Sequence, residues 1–106
     1  MRNVVHSLVV LAAVVSVTCS VSFAESAGQE TYKAKCQSCH GSAGTPNPGI
    51  AKSFGVKPMS DPEVQKHSEA EMIKVTEEGK GKMPAYKGKL TDAQIKDAVS
   101  YLRSLK

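Results

Sequence analysis

The sequence predicts an all-α domain of three to four short helices. One helix-capping box, formed by Ser68 and Glu71, precedes apolar residues at helical spacing. A second, Thr91 with Gln94, precedes a longer repeat of the same kind. After residue 24, no stretch is rich in the β-branched and aromatic residues typical of strands. Segments rich in glycine and proline separate the helical stretches and indicate loops.

Residues 1–24 have the pattern of a secretory signal peptide. Arg2 provides a short positive start, Leu8 to Val17 form an apolar stretch, and small residues at the cleavage position end at Ala24. The apolar stretch is far shorter than the roughly 20 residues that a membrane-spanning helix needs. We therefore expect the leader to be cleaved rather than retained as an anchor, which leaves residues 25–106 as the mature domain.

Size and charge limit what the mature chain can be. Its 82 residues allow one domain with a modest core, and such small domains commonly need a disulfide, a metal or a cofactor for stability. The full chain has a formal net charge of +4, one less without Arg2, which argues against a nucleic-acid-binding protein. Four nearby lysines predict either a positive face for an acidic partner or an ordinary solvated loop. They are Lys80, Lys82, Lys87 and Lys89.

The run Cys36-Gln37-Ser38-Cys39-His40 is the strongest chemical signal in the chain. Two cysteines about one helical turn apart can each add to a vinyl group of the same porphyrin. His40 then lies where the proximal ligand of a haem iron is needed. The spacing therefore predicts a haem attached covalently through Cys36 and Cys39. No second C-x-x-C-H run exists, so the chain can carry one haem.

A zinc site, a redox-active cysteine pair and a structural disulfide are the alternative interpretations of these cysteines. A zinc site needs two further ligands, but His67 is the only other His or Cys after the leader, because Cys19 would be removed with it. A thioredoxin-like pair needs a preceding strand, whereas Gln29 to Lys35 is predicted to be helical. A redox-active or structural disulfide stays open as an alternative without haem.

The first helix is expected over about Gly28–Cys39, with Ser26 as its N-cap. Gly28 is a poor helix former, so it indicates either a capping position or a place where another helix approaches closely. Tyr101, on the predicted last helix, is expected to be buried against this first helix near Gly28 and Tyr32.

The segment from Gly41 to Pro58 is predicted to be a loop, because four glycines and three prolines leave no helical or alternating period. A loop of this length in a small domain is usually functional, and here it would wrap the His40 side of the porphyrin. We expect a backbone carbonyl of Pro46 or Pro48 to accept a hydrogen bond from the outer nitrogen of His40. The sequence does not choose between the two prolines.

Three helical segments are predicted beyond this loop. Asp61-Pro62-Glu63 indicates a short helical turn, with an acidic cap and proline at the first position. The two capping boxes predict helices over about Glu69–Glu78, ending at Gly79, and over about Asp92–Ser104.

Met83 is the predicted second ligand of the haem iron. It lies in a glycine-rich turn, where its thioether has no helical face to pack on. Met59 is the second candidate, but it follows His40 by only 19 residues, a short path for a chain that must cross to the other side of the haem. Met72 is predicted to be a core residue, and the polar surroundings of His67 favour an exposed side chain over a ligand.

Together, the C-x-x-C-H motif, the following loop and the segments Gly79–Pro84 and Ala98–Arg103 resemble a small bacterial class I c-type cytochrome. The resemblance extends over residues 28–105. In that family a glycine and an aromatic residue precede the first cysteine by eight and four residues, and Gly28 and Tyr32 match them. The resemblance implies the class I cytochrome c fold, in which N- and C-terminal helices cross beside one covalent haem.

The resemblance also implies a soluble electron carrier rather than an enzyme. Cys36 and Cys39 would attach one haem c, and His40 and Met83 would be the axial ligands of its iron. A methionine ligand raises the reduction potential because it favours the reduced metal. The protein would be a monomer in an exported compartment, the bacterial periplasm. Its partners would be redox proteins, including membrane-bound respiratory complexes.

Two other haem functions stay open. The chain could be a haem subunit or domain partner of a larger oxidase or dehydrogenase. It could also be an open-site sensor or peroxidase, which would require that Met83 does not bind the iron.

Overall fold

The computed structural model describes residues 25–105. The predicted signal peptide, with Cys19, and the last residue lie outside this range. Within it, the chain forms six helices and no named strand. They are α1 (Ala27–Lys35), α2 (Gln37–His40), α3 (Pro48–Phe54), α4 (Pro62–Gln65), α5 (Glu69–Glu78) and α6 (Asp92–Ser104).

The all-α prediction is confirmed, and both capping boxes form as predicted. The Ser68 hydroxyl accepts from the backbone N–H of Glu71, whose carboxylate accepts from Ser68 in return. Thr91 and Gln94 make the same reciprocal pair. These hydrogen bonds satisfy backbone N–H groups in the first turn that have no partner within the helix, which is why α5 and α6 begin where predicted.

The number of helices is larger than the three to four predicted. The expected first helix is divided at Cys36, whose φ of −117° interrupts the regular geometry between α1 and α2. The expected loop between Gly41 and Pro58 contains α3, which was missed. Asn47 caps α3 through the N–H of Gly49 and Pro48 occupies its first turn, so the local start signal was present despite the glycine- and proline-rich composition.

The crossing of α1 and α6 is the centre of the packing. Gly28 has no room for a side chain, because a Cβ atom there would overlap the carbonyl oxygen of Asp97. The Tyr32 and Tyr101 rings pack with centroids 5.2 Å apart and planes tilted by 60°. The expected aromatic contact of Tyr101 with Tyr32 is therefore present, although Tyr101 is half-buried whereas Tyr32 is 1% exposed. Gly28 therefore serves the close approach, and Ser26 is the cap.

The rest of the fully buried core is small. From α6 it contains Ile95, Ala98 and Val99, and Met59 adds a side chain from the segment before α4. No helix within residues 25–105 is long and apolar enough to cross a membrane.

Candidate functional site

A cavity of about 550 Å³ lies beside the C-x-x-C-H motif. Cys36, Cys39 and His40 line it, and Met83 lines the same cavity. Apolar side chains of α5 and α6 complete much of the wall, including Val75, Val99 and Leu102. The structure thus brings the sequence-predicted residues together around one apolar space.

The short helix α2 presents the three motif residues. Both cysteines are free thiols and partly buried. Their spacing of three residues puts them on the same face of a helical turn. Burial raises the pKa of the Cys36 thiol, with a smaller contribution from Cys39, so the Cys36 sulfur is protonated near neutral pH.

His40 is the last residue of α2 and is half-buried. Burial lowers its pKa below the usual range, because the charged imidazolium loses its solvation. The ring is therefore neutral at physiological pH, which is the form that binds a metal.

The residue after His40 is held firmly by the surrounding fold. Gly41 ends α2 at a φ of 82°, and the Tyr32 hydroxyl donates a hydrogen bond of 2.5 Å to its carbonyl oxygen. The backbone of Thr45 folds so closely onto Gly41 that a side chain could not be accommodated. Pro46 follows in this turn and is buried, whereas Pro48 is exposed and begins α3.

Met83 closes a tight backbone turn. Lys80 and Met83 exchange two hydrogen bonds, of 3.1 Å from Lys80 N–H and 3.0 Å from Met83 N–H. Gly81 occupies the first central position with a φ of 58°, a conformation that glycine adopts without strain. The turn leaves Met83 half-buried on the cavity wall, at a position between α5 and α6.

The end of α5 fixes where this turn lies. A Cβ atom on Gly79 would come within 2.8 Å of the Met83 carbonyl oxygen and 2.9 Å of the Ala85 nitrogen. Glycine is needed there because the turn folds back against it. Tyr86 N–H then bonds to the carbonyl of Thr76, a group that α5 itself leaves unpaired.

Comparison with known proteins identifies the family of this chain. Residues 23–102 match the family described as cytochrome c oxidase, cbb3-type, subunit III. The chain is 30% identical over 95 residues to cytochrome c6 of Thermosynechococcus vestitus, and the aligned region covers 89% of this chain and 82% of the relative. Cytochrome c6 of Synechococcus elongatus is 29% identical over 75 residues, or 71% of this chain and 83% of the relative.

A solved structure, the KustC0563 c-type cytochrome, matches with a TM-score of 0.68 and 32% sequence identity, over 74% of this chain and 96% of that chain. The chain belongs to the class I c-type cytochromes. Its cofactor is therefore haem c, an iron porphyrin bound covalently.

The cavity of this cytochrome fits that cofactor by its own chemistry. It offers two free thiols for thioether bonds, a neutral imidazole for iron and an apolar wall for a porphyrin. No buried side-chain nitrogen or oxygen in residues 25–105 lacks a hydrogen-bond partner. The cavity wall therefore contains no buried polar side-chain atom that a porphyrin would have to satisfy. The same residues include no cluster of three or more His, Cys, Asp or Glu suited to a bare metal ion.

The remaining candidate ligands of the cytochrome, Met59, Met72 and His67, also line this cavity but make other contacts. Met59 lines the cavity but is only 5% exposed. It packs on Gly44, where an added Cβ atom would lie 3.3 Å from the Cγ atom of Met59. Met72 is half-buried on α5, and its sulfur lies 3.7 Å from Nη1 of Arg103. His67 is exposed, as predicted, with Nδ1 3.2 Å from a carboxylate oxygen of Glu71.

Sequence reasoning missed two residues at this site. Tyr86 lines the cavity and donates through its hydroxyl to the carbonyl of Lys35, at 3.0 Å. Burial raises its pKa, so the hydroxyl stays protonated at neutral pH. Phe54, at the end of the missed helix α3, also lines the cavity and is 45% exposed. The position of Tyr86, three residues after Met83, indicated a residue near the site. Its hydrogen-bond partner, Lys35, lies 51 positions earlier in the chain and could not be predicted from the sequence.

Proposed function

We propose that this cytochrome is a monohaem electron carrier whose iron is bound axially by His40 and Met83. The observation that carries the proposal is that a turn-held thioether and a neutral imidazole line one apolar cavity beside two free thiols. Cys36 and Cys39 would form the two thioether bonds. Bound haem would supply an iron that accepts and returns one electron without bond-making to a substrate.

The residues around the iron position would keep both ligands in place during transfer. Tyr32 holds the Gly41 carbonyl and so fixes the end of the helix that carries His40. Pro46 is the better candidate to accept a hydrogen bond from the outer nitrogen of His40, because it is buried in the turn after Gly41 whereas Pro48 is exposed. Such support would fix the tautomer and the orientation of the ring and make it a better ligand.

Met83 is favoured over Met59 by what each side chain already does. Met59 is packed against Gly44, and its backbone N–H bonds to the Gly44 carbonyl at 2.9 Å. Its carbonyl accepts from the side chain of Gln65, so the whole residue has a structural role. Met83 is held through its backbone alone, which leaves its thioether available for the iron. A thioether ligand would favour the reduced metal and a relatively high potential.

The proposed setting is an exported compartment, the bacterial periplasm, with residues 1–24 removed as a signal peptide and residues 25–106 acting as a monomer. Lys80, Lys82, Lys87 and Lys89 are all exposed. Their charge supports docking to redox proteins with acidic surfaces, including membrane-bound respiratory complexes.

A haem subunit of a larger oxidase is the second candidate, because the matching family is described as an oxidase subunit. Purification from its native host distinguishes the two. Stable association with an oxidase through ion exchange and gel filtration would support the subunit, and a monomer that is reduced and reoxidised by added partners would support the carrier.

Spectroscopy tests the ligand set of the proposed carrier. Haem staining on a denaturing gel first checks covalent attachment. The oxidised protein should then show the weak near-infrared band of a thioether–iron bond and resist added cyanide. Met83→Ala should lose the band and bind cyanide readily, while the control Met59→Ala should retain the parent's spectrum. If the Met59 variant opens the iron instead, the ligand assignment is wrong. If the parent binds added ligands readily in both oxidation states, the carrier is the wrong function.

A further inference from the structure

The turn that carries Met83 is tied at two points to the ends of distant helices. Lys82, at the tip of the turn, donates from Nζ to the carbonyl of Ser53 at 2.7 Å. Tyr86, three residues after Met83, donates from its hydroxyl to the carbonyl of Lys35 at 3.0 Å. The two acceptors lie at the C-terminal ends of α3 and α1.

The Lys82 contact combines three favourable interactions. The Ser53 carbonyl belongs to the last turn of α3, where backbone carbonyls lack helical partners and the helix dipole favours a cation. The Lys82 Nζ also lies 4.9 Å from the centroid of the Phe54 ring, within the range of a cation–π interaction. Phe54 is the exposed large hydrophobic residue of the described chain, so this contact accounts for its position at the cavity rim.

The Tyr86 contact ties the other side of the turn to the haem-attachment segment. Its acceptor, Lys35, is the last residue of α1 and directly precedes Cys36. Tyr86 N–H also bonds to Thr76 of α5, so one residue joins the end of the turn to two helices. Displacement of the Met83 segment would have to break these contacts.

The segment that carries Met83 needs contacts with the rest of the protein because its own glycines allow many backbone conformations. Gly79 and Gly81 both have positive φ, and such residues gain much conformational freedom when a segment opens. Within the turn, only the paired backbone bonds between Lys80 and Met83 oppose that gain. A weak neutral ligand on such a segment would be displaced easily unless the segment were held from outside.

We propose that Lys82 and Tyr86 are positioning residues that hold the Met83 turn against the cavity and set how readily another ligand displaces Met83 from the iron. This inference rests on the proposed ligation by Met83. It assigns the resistance to added ligands to two side chains that do not touch the iron.

The chain contains a matched control for Lys82. The sequence Lys80-Gly81-Lys82 is repeated as Lys87-Gly88-Lys89, and each second lysine lies in a turn after a glycine with positive φ. Lys89 is exposed like Lys82, so Lys89→Ala removes the same charge without removing the contact to Ser53.

The experiment is an imidazole titration of the oxidised holoprotein, followed by the near-infrared band. Loss of one net hydrogen bond is expected to tighten apparent imidazole binding about three- to tenfold in Lys82→Ala and in Tyr86→Phe. Lys89→Ala should change it less than about twofold, and Lys82→Arg should restore nearly the parent's value. Lys80, Met83 and position 86 have hydrogen-bonded backbone N–H groups, and their amide hydrogen exchange should accelerate in Lys82→Ala and Tyr86→Phe. Exchange in α6 should stay unchanged, which distinguishes local opening from general destabilisation.

Two outcomes would overturn the inference, and they differ. If the parent shows the near-infrared band but both variants bind imidazole as it does, the two side chains do not hold the turn, and Met83 ligation stands. If the parent lacks the band and Met83→Ala leaves imidazole binding unchanged, the proposed ligation fails and the inference fails with it.

Discussion

Gly28 of α1 lies directly against the backbone carbonyl of Asp97 in α6, and a Cβ atom at position 28 would overlap that oxygen. Gly28→Ala should therefore force the two helices apart and lower the free energy of unfolding by about 1–3 kcal/mol, as overpacking typically does. Denaturant titration of the holoprotein measures this change.

Gly49→Ala is the matched control for this substitution. Gly49 lies in α3, and its Cβ position meets only the side-chain oxygen of Asn47, at 3.2 Å. The change should alter stability by less than about 1 kcal/mol, since alanine is the better helix former. Equal losses in the two variants would show that the helix crossing does not need glycine.

Removing the Tyr101 ring should weaken the same crossing. Because the ring is half-buried and packs on Tyr32, Tyr101→Ala should cost about 2 kcal/mol, below the usual range for fully buried aromatic residues. The haem spectrum should change little. A loss below about 0.5 kcal/mol in denaturant titration would indicate that the aromatic contact does not contribute.

Tyr32 should make stability depend on alkaline pH. Burial raises the pKa of Tyr32 to about 12, with smaller contributions from Cys36 and Tyr101, whereas an unfolded tyrosine titrates near about 10. The folded protein therefore holds the proton more tightly, and this contribution to stability is fully present below about pH 10 and declines as the pH rises towards about 12. Tyr32→Phe should lose about 1 kcal/mol at neutral pH, with the hydrogen bond to Gly41, and show a shallower alkaline decline. Parallel pH slopes for the two proteins would assign the decline to other groups.

The two motif cysteines should be essential for the fold as well as for the cofactor. Without the porphyrin, the apolar side chains that line the cavity would face water, and a domain of this size has little other core to hold it together. Cys36→Ala combined with Cys39→Ala should therefore lose covalent haem and most helical signal in far-UV circular dichroism. A well-folded protein without haem would contradict this expectation.

Replacing Met83 by a stronger donor should keep the iron six-coordinate. Met83→His should lower the reduction potential, because a nitrogen ligand stabilises the oxidised metal more than a thioether does. Potentiometric titration measures the shift, and Met59→Leu should leave the potential close to the parent's. A larger shift in the Met59 variant would reverse the assignment of the two methionines.

Features that depend on neighbouring residues were readable from the sequence. The starts of α5 and α6 follow from caps that span three residues, and the haem motif is contained in five consecutive positions. Local signals were also misjudged where composition masked them. The surrounding glycines and prolines predict a loop where Asn47 and Pro48 begin α3, and the residue pattern does not indicate the interruption of the helix at Cys36.

Other properties depend on contacts between residues far apart in the chain, and only the tertiary structure decided them. Gly28 had two possible roles until Asp97 was seen against it. Met59 is buried and packs on Gly44, 15 residues earlier in the chain, a contact that the sequence does not reveal. The bonds from Lys82 to Ser53 and from Tyr86 to Lys35 join residues 29 and 51 positions apart. Sequence patterns report the local preferences of the chain, whereas such pairings depend on how the helices pack around the cavity.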